Sequence, residues 1–219
     1  MKQNQFGRSM IEMLGVLAII AVLSVAGIAG YSKAMTKFKV NKTVAQVTNI
    51  VTGIMTAFAN EKGYSGANAK YPDEFSSYEA EDLEMFKALG IITDDMITNG
   101  KLKHPFNGEI FILGVDKGFE IDLDNLSRES CLALATLDWG ADNPNLMGIN
   151  VVNSGQPIAS DCGASMGGGS GSWDGGVLAC KYFHEDETIP IPVPPAIAAK
   201  ACTCKENTCA LGLYYNENL

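Results

Sequence analysis

The sequence predicts an α+β protein, in which a long N-terminal α-helix packs on an antiparallel β-sheet head with a disulfide-bonded C-terminal region. Three observations predict this fold class. Residues 13–31 form a run of nineteen residues without a charge. An apolar stripe with helical spacing follows that run, and segments of alternating apolar and polar residues come later. All six cysteines lie in the second half of the chain.

The uncharged run is long enough to cross most of a membrane. At about 1.5 Å per residue it would span most of a hydrocarbon core about 30 Å thick. Glu12 stands at its entrance, and Gly7 stands five residues before Glu12. A secretory signal needs a basic start, which Lys2 and Arg8 supply only thinly, and it has no use for a carboxylate at this place. A signal-like cleavage after Ala29 is the alternative interpretation.

These residues resemble the N-terminus of type IV pilins and of the related pseudopilins of type II secretion. The shared features are a short polar leader that ends in Gly7, an acid at the fifth position after it, and about twenty apolar residues. The resemblance implies cleavage after Gly7 by a prepilin peptidase, N-methylation of the new N-terminal Arg8, and a role for Glu12 in assembly. The chain departs from the family at Arg8, where Phe or Met is usual, and it lacks the usual helix-bending proline.

Elementary electrostatics supports an assembly role for Glu12. A charge on a membrane helix is costly, so it is a functional candidate. In a staggered bundle of identical helices, the freed amine of Arg8 can meet Glu12 of a neighbouring copy. Two unit charges ~4 Å apart attract by ~4 kcal/mol at an effective dielectric near 20, and desolvation offsets much of that gain. The pair would therefore set register, unless Glu12 simply extends to the lipid headgroups.

The domain organisation follows from this interpretation. We expect a leader at residues 1–7, a membrane and filament-core helix at 8–31, an amphipathic half of the same helix at 32–62, and a globular head at 63–219. Within the head, a disulfide-bonded region is expected at 131–209. Glycines at positions 15, 27 and 30 would let neighbouring helices approach closely.

The amphipathic half is predicted by apolar residues in steps of 4, 3, 4, 3 and 4: Val40, Val44, Val47, Val51, Ile54 and Phe58. Lys62 and Gly63 are typical of a helix end. We expect this half to lie along the head.

The head is predicted to begin with a loop at 63–78 and a short helix at 79–89 that ends at Gly90. Asn-Gly pairs at 99–100 and 107–108 indicate turns. A further helix is predicted at 127–137, and a stiff proline-rich connector at 189–195. The predicted strands are 109–115 and 118–123, which form a hairpin, then 147–153, 177–183 and 208–215.

The cysteines indicate disulfides in an oxidising compartment, because their number is even and they follow an export element. They lack paired C-x-x-C knuckles, so no metal site is predicted. Segments 104–110 and 126–131 are similar to segments of type IVb pilins, in which a cysteine after the central strands bonds to one near the C-terminus. That resemblance implies a bond from Cys131 to Cys209. Six cysteines allow 15 pairings, and the partners of the remaining four stay open: Cys162, Cys180, Cys202 and Cys204.

Other kinds of site are not favoured. A net charge of −9 without a dense basic patch argues against nucleic acid. Residues 163–167 match G-x-S-x-G, but they lie in a glycine-rich stretch, and only His104 and His184 could serve as base. We therefore predict neither an enzyme nor a cofactor. Residues 185–187 suit a solvated acidic turn better than a calcium site, and Trp173 is a candidate for adhesion, for subunit contact or for packing on the sheet.

The sequence thus predicts the structural subunit of a type IVb-like pilus, which polymerises through its N-terminal helix. The resemblance implies other pilin subunits, a prepilin peptidase, an inner-membrane platform protein and an assembly ATPase as partners. It also implies a single-pass stage in the bacterial inner membrane, followed by the extracellular pilus. The alternatives are a type II secretion pseudopilin, and a secreted or tethered binding protein or enzyme whose apolar segment serves only for targeting.

Overall fold

The computed structural model describes residues 10–61, 63–67, 80–115, 117–139, 145–153, 178–180, 191–204, 206 and 208–216. The chain divides into two compact units, Met1–Lys39 and Val40–Leu219. In its described part, the first unit is helical throughout and belongs to helix α1, Met10–Ala57. The last eighteen residues of α1 belong to the second unit.

In its described residues, the second unit contains three further α-helices: α2 (Ala80–Ala88), α3 (Arg128–Ala135) and α4 (Pro195–Ala201). A 3₁₀ turn lies at Asp94–Met96. The described strands are β1 (Ile97–Thr98), β2 (Lys101–Leu102), β3 (Ile110–Val115), β4 (Gly118–Ser127), β5 (Leu146–Asn153), β6 (Leu178–Cys180) and β7 (Thr208–Asn216).

Five of these strands form one antiparallel sheet in the order β3-β4-β7-β5-β6. Strand β7, the last of the described strands, therefore lies between β4 and β5. One row of side chains crosses four strands in register: Ile112, Ile121, Leu213 and Ile149. All four are buried, so this face of the sheet is the core face.

The second half of α1 packs in the same core. Its buried residues are Val40, Thr43, Gln46, Val47, Ile50, Val51 and Ile54. Val44 and Phe58 are partly buried against the cluster, so the predicted stripe is confirmed as the packed face. The helix ends at Ala57, five residues before the predicted stop, and a turn follows at residues 58–60.

The predicted turns are present. Asn99 and Gly100 join β1 to β2 with φ of 54° and 72°, the left-handed pair that a two-residue hairpin needs. Asn107 also has a positive φ of 72°. At the next position a Cβ would overlap the Asp124 carbonyl oxygen and the His104 imidazole, so only glycine fits at Gly108.

Helix α3 begins as predicted, with the Ser127 hydroxyl accepting a hydrogen bond from the Ser130 backbone N–H at 3.3 Å. Helix α4 was not predicted, because the prolines before it suggested a continued extended connector. Proline is well tolerated at the first helical position, where Pro195 stands, and the alanine-rich sequence after it favours a helix.

The predicted bond between Cys131 and Cys209 is wrong. Cys131 bonds to Cys202, with Cα atoms 5.9 Å apart, and Cys204 bonds to Cys209, with Cα atoms 5.4 Å apart. The cause is the unpredicted α4, which packs against α3 and places Cys202, its C-cap residue, beside Cys131. Cys162 lies outside the described residues, and Cys180 ends β6.

Candidate assembly site

The first unit exposes a long apolar surface. Every large apolar side chain of α1 from Met10 to Tyr31 is exposed, from 51% at Met13 to 82% at Met10. Burying such a side chain is worth ~1.5–3 kcal/mol, so this segment could gain on the order of 20 kcal/mol or more in an apolar environment. Exposed apolar surface of this extent marks a site for a membrane or for another protein.

Length and composition allow α1 to cross a bilayer, and its most apolar window is unburied. The Ser24 hydroxyl donates to the Ile20 carbonyl oxygen at 2.8 Å, so this polar group is satisfied within the helix, as a membrane segment requires. An N-terminal targeting segment would share these two properties of length and composition. They therefore establish a membrane-length helix, and they do not distinguish a membrane anchor from a targeting segment.

The glycines of this segment pack against none of the described residues outside their own helix. A Cβ at Gly15, Gly27 or Gly30 would meet no atom within 4 Å. Glycine lowers the stability of a helix relative to alanine. Its presence here therefore indicates a role in contacts outside the single chain. Close contact with another helix is such a role.

Glu12 lies in the first turn of α1, where the helix dipole favours a negative charge. Its side chain is exposed, and it makes no ion pair with any residue that the structure describes. The carboxylate is thus open to a partner outside the described chain. Gly7 and Arg8 lie outside the described residues, so their cleavage and methylation remain expectations.

His104 is a structural residue rather than a candidate base. It is buried, and its Nδ1 accepts a hydrogen bond from the Phe106 N–H at 3.2 Å. Its Nε2, 2.8 Å from the Asp124 carbonyl oxygen, must then carry the proton and donate it. Burial lowers the pKa of the imidazole, which favours this neutral form. The other predicted positions, residues 163–167, Trp173, His184 and 185–187, lie outside the described part.

A buried acidic pair escaped the sequence analysis. Glu120 and Asp122 are 4% and 3% exposed, although both carry ionisable side chains. Burial raises the pKa of Glu120 to about 8, and burial together with the Glu120 charge raises that of Asp122. The described residues contain no group of three or more His, Cys, Asp and Glu that could hold a metal ion. Because the folded head holds protons on this pair more tightly than the unfolded chain would, the pair makes the stability of the head depend on pH.

An open groove of about 580 Å³ lies on the second unit between the end of α1 and the residues that follow α2. It contains no titratable side chain and thus offers no acid–base chemistry. Its lining residues are Asn49, Thr52, Gly53, Thr56, Ala57, Leu89 and Gly90.

The architecture is that of an α+β head whose first helix begins as a membrane-length apolar segment. No family model and no curated protein matches the chain. Among solved structures, the chain is similar to a crystal structure of TcpA, a type IV pilin from Vibrio cholerae El Tor biotype. The identity is 16% and the TM-score 0.49, over 82% of this chain and 99% of that one. A TM-score below 0.5 does not establish a common fold, so a function must be argued from the chain's own features.

Proposed function

We propose that this chain is a structural subunit of a type IV pilus, of the IVb-like kind, and that it polymerises through residues 8–31 after removal of residues 1–7. One observation carries the proposal. The membrane-length segment of α1, residues 10–31, exposes all of its large apolar side chains and carries a single acid, Glu12, near its start. A targeting segment has no use for that acid, whereas a helix that docks on copies of itself does.

The apolar segment has two successive environments in this proposal. Before assembly it spans the bacterial inner membrane, with the head on the far side. The two disulfides, Cys131–Cys202 and Cys204–Cys209, suit a head that folds in an oxidising compartment. During assembly, apolar contact with sister helices replaces contact with lipid, and a prepilin peptidase, a platform protein and an assembly ATPase are the proposed partners.

Glu12 supplies register in this scheme. An apolar helix surface can slide along another at little cost, because its contacts are non-directional. Only one axial offset between two helices brings the Glu12 carboxylate of one copy next to the Arg8 amine of another, so the pair favours that offset. Since desolvation offsets much of the attraction, the pair selects an arrangement more than it adds strength.

The test is the Glu12→Ala variant, produced in cells that assemble the wild-type filament. We expect normal removal of the leader, normal amounts of subunit, and loss of filaments in electron micrographs. Glu61→Ala, which removes an exposed acid beyond the end of α1, is the matched control and should assemble normally. Filaments at wild-type abundance in the Glu12 variant would refute the assembly role.

Sequencing the mature N-terminus separates the proposal from a targeting function. A methylated Arg8 at the start supports the pilus subunit. A start at Gly30 would mean that the apolar segment had been removed as a signal peptide, and the proposed function would fail.

A further inference from the structure

The charges of this chain are unevenly divided. Residues 1–39 hold five cations and one acid, or +4, which leaves −13 for residues 40–219 out of the total of −9. Three of the five cations, Lys33, Lys37 and Lys39, come within eight residues of the end of the uncharged run. A positive cluster thus separates the apolar segment from an acidic remainder.

Lys33 and Lys37 form what we call the basic collar. They are one helical turn apart on the same side of α1, and both are exposed. Neither makes an ion pair with a described residue, whereas Lys42 is bonded to Asp95 at 3.2 Å. The collar is therefore available to a partner outside the chain.

Two aromatic side chains flank the collar. Tyr31 is 67% and Phe38 60% exposed, and seven residues of helix place them only about 20° apart around the axis. They lie on the side of α1 away from the two lysines. Aromatic and basic residues directly after an apolar span are typical of the headgroup region of a bilayer.

The position of these lysines is unusual for an exported head. The disulfides Cys131–Cys202 and Cys204–Cys209 indicate an oxidising compartment for the second unit. Lysines next to a membrane span normally mark the cytoplasmic side. Two lysines on the exported side make translocation of this segment less favourable. An interaction of the lysines on that side must offset this unfavourable contribution.

We propose that the basic collar binds the phosphate groups of anionic phospholipids at the outer surface of the membrane that α1 spans. This inference rests on the membrane stage of the proposed function. Each lysine near an anionic surface favours binding about fivefold, so the two together favour it up to about 30-fold. The collar thereby holds the subunit at a fixed depth although the acidic remainder of the chain is repelled from the same surface.

The test uses the full-length chain reconstituted into vesicles of phosphatidylcholine, with or without phosphatidylglycerol. Flotation reports insertion. Electron spin resonance of spin-labelled lipids then reports the ratio of association constants for phosphatidylglycerol over phosphatidylcholine at the protein boundary. We expect the wild type to prefer phosphatidylglycerol several-fold at low salt, and the preference to weaken as salt is added.

Three variants locate the effect. Lys33→Gln/Lys37→Gln should float as the wild type does and lose the preference, whereas Lys33→Arg/Lys37→Arg should keep it. Lys42→Gln is the matched control, since that lysine already has an ion-pair partner, and it should leave the preference unchanged. Retention of the full preference in the double Gln variant would overturn the inference.

The remaining outcomes separate this inference from the proposed function. A wild type that floats with both kinds of vesicle and shows no lipid preference overturns the lipid inference alone. Salt-sensitive self-association in neutral vesicles that depends on the same two lysines would assign the collar to the acidic part of a second copy, and would also overturn it. A wild type that fails to float with any vesicle overturns both proposals.

Discussion

Glu120 and Asp122 are hydrogen-bonded to each other on one face of strand β4, and both carboxyl groups are almost fully buried. They are two residues apart, so the pleat directs them to the same face. The register of the sheet places Tyr214 opposite Glu120 and Gly212 opposite Asp122. No cation stands at either of these cross-strand positions, so the pair depends on bound protons.

The first prediction concerns alkaline pH. The pKa of Glu120 rises from its ordinary value near 4.5 to about 8 in the folded state. The protonated pair therefore contributes stability that is complete below about pH 4.5 and is lost as the pH rises through about 8. The shift is worth on the order of 5 kcal/mol. We expect the free energy of unfolding, measured with urea in detergent, to fall between pH 5 and pH 9.

The double variant Glu120→Gln/Asp122→Asn should flatten that decline, because neutral amides have the same shape and do not titrate. Glu129→Gln, which changes an exposed acid on α3, should keep the wild-type slope. A decline of the same steepness in the double variant would show that other groups cause it.

The second prediction concerns mildly acidic pH and His104. Its folded-state pKa is lowered, so its contribution is complete above the unfolded pKa near 6.5 and is lost as the pH falls. Protonation at Nδ1 would break the hydrogen bond from the Phe106 N–H. Because the acidic pair changes stability in the opposite direction over this range, the useful quantity is the difference between the wild type and His104→Gln.

We expect that difference to shrink as the pH falls from 7 to 5, by at most about 1.4 kcal/mol per pH unit. An NMR titration of the imidazole Cε1 proton measures the pKa directly. A value at or above 6.5 would contradict the structural role assigned to His104.

The third prediction compares the two disulfides. Cys131 and Cys202 are 71 positions apart, whereas Cys204 and Cys209 are 5 apart. In the chain-entropy relation the longer loop is worth about 4 kcal/mol and the shorter about 2 kcal/mol. Paired Cys→Ala variants of each bond, compared by urea unfolding, should therefore differ about twofold in their cost. Peptide mapping of the oxidised wild type that found Cys131 joined to Cys209 would refute the pairing.

The fourth prediction is that Gly53→Ala destabilises the head. Alanine is intrinsically the better helix residue by about 1 kcal/mol. A Cβ at Gly53 would however lie 2.9 Å from Ile91 Cγ1 and 3.2 Å from Ile91 Cα, where a branched side chain and backbone leave little room to yield. We expect a net loss of about 1–2 kcal/mol in the free energy of unfolding. Thr52→Ala, at the exposed neighbouring position, is the control and should be neutral or stabilising. If Gly53→Ala were equally neutral, Ile91 would be able to move away from the added methyl group without cost, and the prediction would be wrong.

Local patterns in the sequence predicted much of the fold. The stripe from Val40 to Phe58 gave the packed face of α1, and the Asn99-Gly100 pair gave the β1–β2 turn, because each signal lies within a few residues. The β3–β4 hairpin followed from the runs on either side of its short turn. The fold class was correct for the same reason.

What failed depended on contacts between distant segments. The Cys131 partner could not be predicted without α4, whose packing against α3 decides which cysteine comes close. The burial of Glu120 and Asp122 was missed because alternation reports which residues share a face and not whether that face is covered. For the candidate assembly site, the pattern predicted the apolar helix and the place of Glu12, whereas the proposed partner of Glu12 belongs to another copy of the chain and leaves no signal in its own fold.

The position of β7 decides when the head can fold. Strands β4 and β5 have no partner on their inner edges until residues 208–216 arrive between them. A head that crosses a membrane in chain order would thus remain without its central sheet until residues 208–216 had crossed. Pairings between segments so distant in sequence also form slowly. Under the proposed function, late closure of this kind would keep the polypeptide extended during export, and it would delay the Cys204–Cys209 bond, whose second cysteine lies on β7, until that strand had crossed the membrane.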